Sequence, residues 1–173
     1  MILLKNPQKV LKISNRTVRN QIQLLLTAAG YRDWDIGVCL TGDRTVRKLN
    51  AQYRGKDKST DILSFPFAEP IQPGVLPKPH SEDDKNLGDI FISMRYVENW
   101  CKDHNVRLED RLPVLYAHGI CHLLGYDHQE DADYAVMKKK ENKMLRKMND
   151  WQQVIDSLSS LSSTASASTP RVQ

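Results

Sequence analysis

Between Met1 and Arg32 the chain has no Asp or Glu, although Lys5, Lys9, Lys12, Arg16 and Arg19 punctuate the stretch. An acid-free, basic, amphipathic start is the composition of a mitochondrial targeting segment. The same residues also read as domain structure. Ile2–Leu4 and Val10–Ile13 suit strands, and Val18, Ile22, Leu25 and Leu26 form a helical stripe, with Ser14, Asn15 or Thr17 as its cap and Gly30 as its stop. We therefore expect an integral segment that can also carry targeting information, with a mitochondrial location and a cytoplasmic one as the alternative. Cysteine is scarce. Cys39, Cys101 and Cys121 are odd in number, far apart and never in a C-x-x-C pair, which excludes a disulfide framework and favours a reducing compartment. No apolar run is long enough to cross a bilayer. Aromatic residues make up only 7% of the chain, so no stacking code for nucleic acid can be read from it.

What is present is ordinary for a globular protein: 40% hydrophobic and 27% charged residues over 173 positions, enough for one well-cored domain and no more. The net charge of +4 permits a polyanionic partner without demanding one. Asp35–Leu40 and Leu87–Ser93 read as strands, as does Asp61–Phe65, ended by Pro66. Thr41 or Asp43 can cap a helix whose stripe is Val46, Leu49 and Tyr53, followed by a charged turn from Arg54 to Ser59. The stretch from Ala68 to Asn86, rich in Pro and then in acid, reads as a surface loop. Further helices are expected over Met94–His104 and from Asp131 or Asp133, the latter with Lys138, Lys139 and Lys140 on a solvated face. Residues 157–173, mostly Ser, Thr and Ala, have the composition of a disordered tail.

Between these elements lies the most informative stretch, His118-Gly119-Ile120-Cys121-His122-Leu123-Leu124-Gly125-Tyr126-Asp127-His128. The helix carrying it is predicted to start at a capping Asp110, to tolerate Pro113 in its first turn, and to be buried, being apolar nearly all round. His118 and His122, four residues apart, share one face. Gly125 can take positive φ, end the helix and let His128 return to the same point. Three neutral imidazoles around an open position are the ligand set of a catalytic zinc. Nickel or copper would also suit such donors. Cys121 is off the line of the two histidines and reads as a small buried hydrophobe. The spacing matches the three-histidine pattern of metzincin proteases, but Gly119 stands where those enzymes need a glutamate base.

The run H-G-x-C-H-L-L-G-Y-D-H resembles the signature of the YbeY endoribonuclease family. Tyr53-Arg54-Gly55-Lys56-Asp57 leading into Thr60–Phe67, and Leu87-Gly88-Asp89-Ile90, are similar to two further blocks of that family. The likeness extends over the chain to about residue 150, and the Pro-rich loop and Ser-rich tail look more like animal members. The resemblance implies an α+β fold over residues 1–150, with a small mixed sheet packed by helices, and a metal held by His118, His122 and His128, for which the three-imidazole set favours zinc. It implies hydrolysis of single-stranded RNA in the maturation of ribosomal RNA, association with the small ribosomal subunit and one of its proteins, and a mitochondrial setting.

On that reading a zinc-activated water would replace the missing glutamate base. Arg54 is the candidate catalytic cation at the phosphate, Lys56 adds a phosphate contact, and His118 belongs to the catalytic centre as well as to the metal. Asp89 and Asp127 are candidates to orient ligand imidazoles, with turn stabilisation as the alternative for Asp127. Two other functions compete: a ribosome-assembly factor with a structural metal, and a metallopeptidase, which Gly119 disfavours.

Overall fold

A computed structural model describes residues 1–166. It contains β1 (Ile2–Lys5), α1 (Asn15–Ala29), β2 (Asp35–Thr41), α2 (Asp43–Arg54), β3 (Ile62–Pro66), β4 (Asn86–Ser93), α3 (Met94–Asp103), α4 (Leu108–Leu123) and α5 (Asp131–Ser166), with a short 3₁₀ turn at Glu82–Asp84. The four strands lie in the order β1-β2-β4-β3. The first three are parallel and β3 is antiparallel to β4. This is an α+β fold built on a small mixed sheet.

Strand alternation divides the molecule into layers. Ile36, Val38 and Leu40 of β2, with Ile90 and Ile92 of β4, are buried on the face covered by α1 and α4. Phe65 of β3 and Phe91 of β4 point to the other face, where Tyr53 of α2 meets Phe65 edge-on. The α1 stripe is Val18, Ile22, Leu25 and Leu26, all buried. Ser14 caps that helix by accepting from the Thr17 amide at 3.2 Å, and Gly30 closes it at φ 95°. These acid-free positions thus form the core and an edge of the sheet.

Several local expectations are corrected. Val10–Ile13 is not a strand: the Gln8 side-chain oxygen takes the amides of Val10 and Leu11, which competes with any ladder. The cap of α2 is Gly42, and Asp43 lies in the first turn. The buried positions of α2 are Val46 and Asn50, while Tyr53 is 61% exposed. The motif helix starts earlier than Asp110, with Arg107 as its cap residue, and Pro113 falls inside the helix rather than in its first turn. The Asp110 carboxylate is engaged by the Arg107 guanidinium at 2.8 and 2.9 Å, so it cannot cap a later start. The helix α5 runs on to Ser166, into the stretch expected to be disordered, and 167–173 lie outside the described residues.

Candidate metal centre and cleft

The helix α4 is buried on most of its circumference, through Leu112, Leu115, Tyr116, Ala117, Ile120, Cys121 and Leu123. It seats closely on β3 and β4, and Gly119 is the contact. A Cβ placed there would stand 2.7 Å from Ile90 Cδ1 and 2.9 Å from Ile62 Cδ1, closer than packed carbons approach. The position that carries the base in peptidase motifs therefore faces the sheet, where a side chain fits only if the ends of Ile90 and Ile62 give way. His118 and His122 emerge on the half-buried side of the same helix.

The chain then turns back through a Schellman motif. The Gly125 amide donates to the His122 carbonyl at 3.0 Å, and the Tyr126 amide to the Cys121 carbonyl at 3.0 Å, with Gly125 at φ 81°. The Pro-rich loop braces this turn: the Gly74 amide donates to the Leu124 carbonyl at 2.8 Å, and the Tyr31 hydroxyl holds the Gly74 carbonyl. Asp127 accepts from the His128 amide at 2.7 Å. Its carboxylate fixes the backbone of the returning ligand, which is the turn role rather than an imidazole contact.

The three imidazoles converge. Their candidate ligand atoms all lie within 4.8 Å of one another, and the Nε2 atoms of His118 and His122 are 3.0 Å apart. The spacing suits one tetrahedral ion at about 2 Å from each nitrogen. His118 Nδ1 is 2.7 Å from Glu141 Oε1. With that N–H donated to a carboxylate, the free lone pair is on Nε2, aimed at the shared point. Burial, together with His118 and His128 nearby, pushes His122 down to about 4, so its ring is neutral and able to ligate at neutral pH. Among the described residues no fourth His, Cys, Asp or Glu joins the cluster. Cys121 is fully buried, its thiol pushed up to about 12 by burial, and is no ligand. The donor set thus fits a metal ion with coordination left open.

Glu141 was not legible in the sequence as part of this site. It comes from α5, is 3% exposed, and also accepts from Lys138 Nζ at 3.0 Å. Burial raises its pKa, but the hydrogen bonds from His118 and Lys138 outweigh that and hold the carboxyl below its usual value. A signal did exist: Met137, Glu141, Met144 and Met148 form one buried stripe of α5, and Glu141 is its single acid. Asp89, the other expected partner of a ligand imidazole, is on the wrong face. Its carboxylate lies over Gly37 on the sheet surface opposite α4, because inward-facing Ile90 turns its neighbour outward.

A cleft of about 610 Å³ opens beside the histidines, lined by His122, Asp127 and His128 on one side and by Arg54, Lys56 and Ser64 on the other. Arg54 is the last residue of α2, and Gly55 closes the helix at φ 64°. Asn50 sets the loop that follows: its side chain donates to the Lys58 carbonyl at 2.8 Å, and its carbonyl accepts from Lys56 at 3.2 Å. Arg47 donates to both Asp57 carboxylate oxygens at 2.7 Å, through Nε and Nη2. Arg54 and Lys56 form no ion pair among the described residues, so both charges are available to a ligand. The Ser64 hydroxyl is buried without a hydrogen-bond partner. The cleft therefore joins a metal-type imidazole cluster to two cations without ion-pair partners among the described residues, an arrangement suited to a phosphate-bearing ligand.

Residues 3–149 match the family model described as Endoribonuclease YbeY. The chain is 35% identical over 144 residues to the human endoribonuclease YbeY, covering 83% of this chain and 86% of that one. It is 37% identical over 128 residues to the Thermus thermophilus protein of the same description, covering 74% and 86%. A solution structure of TM1509 from Thermotoga maritima is similar in fold, with a TM-score of 0.59 and 27% identity over 88% of this chain and 93% of that chain. No helix of the described residues is long and apolar enough to cross a membrane.

Proposed function

This chain belongs to the Endoribonuclease YbeY family, and from that premise we propose that it hydrolyses phosphodiester bonds of single-stranded RNA with a bound metal ion. The observation that carries the reading is the shared cleft, in which Arg54 and Lys56 face His122 and His128. His118, His122 and His128 would hold the ion, and three imidazoles favour zinc. Such an ion supplies Lewis acidity and lowers the pKa of water at the site.

The chain's own residues do the rest. Arg54 binds two oxygens of the scissile phosphate and offsets the charge that grows on them as the phosphorus is attacked. Lys56 binds an adjacent phosphate. Glu141 keeps His118 in one tautomer and Asp127 keeps the His128 backbone in place. Gly119 supplies no general base, and its seat against Ile62 and Ile90 disfavours a peptidase.

The finer assignment is ribosomal RNA maturation, with RNA and a protein of the small subunit as partners, in mitochondria. Its support is the resemblance to animal members, the net positive charge and the basic, acid-free start of the chain. The test is cleavage of a labelled single-stranded RNA by the parent, Arg54→Ala and His118→Ala, with bound metal quantified in each. The parent should cut. Arg54→Ala should keep its metal and lose activity roughly 100-fold or more, as expected for removal of one transition-state donor. His118→Ala should lose both. A metal-loaded parent that cuts nothing would shift the reading to an assembly factor with a structural metal.

A further inference from the structure

One stretch of α5 carries far more charge than the cleavage site uses. Lys138, Lys139, Lys140, Lys143, Arg146 and Lys147 fall within three turns, and the single acid among them, Glu141, points inward to His118. Lys139, Lys143, Arg146 and Lys147 are exposed, and none forms an ion pair among the described residues. A shallow groove of about 670 Å³ runs from exposed Tyr134 along Lys139 and Lys143 to Arg146. Burial depresses the Lys140 ammonium, and the like charges of Lys143 and Lys147 add a smaller push in the same direction. A folded protein that leaves this repulsion uncompensated gains stability from any polyanion laid across it.

We infer that this face of α5 is a second RNA contact, binding the phosphate backbone of the strand that flanks the cleavage cleft. The inference rests on the endoribonuclease reading. Two features favour RNA over an anionic membrane. The apolar stripe of α5, Met137, Met144 and Met148, is buried against the domain and cannot enter a bilayer. The face also adjoins the metal centre through α5 itself, because Lys138, which lines the groove, donates to the buried Glu141 carboxylate that holds His118. Lys139, Lys143 and Lys147 recur at one-turn intervals over about 12 Å of helix, forming a row of charges along which a backbone can run.

The experiment uses the full, zinc-loaded chain and a variant with Lys139→Gln, Lys143→Gln and Arg146→Gln, substitutions that keep helix-forming side chains. Binding to a phosphorothioate RNA of about 30 nucleotides, which resists hydrolysis, is measured against salt concentration. The slope of log affinity against log salt should become shallower by about 2, roughly 0.7 for each lost phosphate contact. Zinc content, and cleavage of an oligonucleotide short enough to occupy only the cleft, should not change. An unchanged slope and affinity would overturn the second contact while leaving cleavage intact. So would loss of binding to phosphatidylserine vesicles with RNA binding unaltered. A parent that cuts nothing yet shows the slope difference would instead overturn the cleavage reading and keep the RNA surface.

Discussion

Glu141 Oε1 lies 2.7 Å from Nδ1 of His118, joining the last helix to the metal helix across 23 positions of sequence. A carboxylate there sets the tautomer and the orientation of the imidazole it touches. Glu141→Gln keeps the size of the side chain and removes its charge. Zinc affinity should fall roughly 10-fold or more, read by competition with a chromogenic chelator, while the far-ultraviolet circular dichroism stays that of the parent. Undiminished affinity would reduce Glu141 to a packing residue.

The neutral state of His122 has a consequence for stability. In the unfolded chain this imidazole takes up a proton near its ordinary value of 6.5, whereas in the folded, metal-free protein it does so only near about 4. The unfolded state therefore binds the extra proton between those values. Metal-free protein should lose stability progressively as the pH falls from about 6.5 toward about 4. Urea titrations across that range should show the decline, and His122→Asn should flatten it.

Packing at Gly119 makes a prediction of opposite kind. A methyl group there enters a closed contact with Ile90 and Ile62, so Gly119→Ala should destabilise by about 1 kcal/mol net. Overpacking costs about 1–3 kcal/mol and the gain in helix propensity returns up to about 1. Adding Ile90→Val removes the Cδ1 that the new methyl meets 2.7 Å away, and should recover part of the loss. Additive losses in the double variant would place the cost elsewhere.

Asn50 holds the loop that presents Arg54 and Lys56. Asn50→Ala leaves the Lys58 carbonyl without its donor and should cost about 1–2 kcal/mol of stability. Metal content should be retained while RNA cleavage falls, because the cations lose their fixed position. Equal activity in a chain that binds the same zinc would show that the loop needs no such anchor.

The parts of this site legible in the sequence are those whose geometry is local. His118 and His122 are one helical turn apart, Gly125 marks the return, and His128 follows three residues later, so spacing alone predicts the convergence seen here. The α1 stripe and its Ser14 cap were legible for the same reason. What spacing does not carry is long-range pairing. Glu141 and Asn50 are polar residues on buried stripes, and their partners, His118 and the Lys58 carbonyl, are supplied by other segments. Asp110 as a cap failed to a competitor three residues away, Arg107. Asp89 was misplaced although the alternation along β4 holds the answer: Ile90 and Ile92 face inward, so Asp89 cannot.

The close seat of α4 on the sheet also bears on how this site could change over generations. A glycine codon ending in A or G is one base change from glutamate, the residue that the peptidase pattern has at the position of Gly119. That step would press a carboxylate against Ile62 and Ile90, an apolar contact in which its charge is costly to bury. Accommodating it would require the ends of Ile62 and Ile90 to move aside or to be shortened, at a cost to the core that precedes any new activity. The histidines alone leave that route open; the two isoleucines opposite Gly119 make it costly.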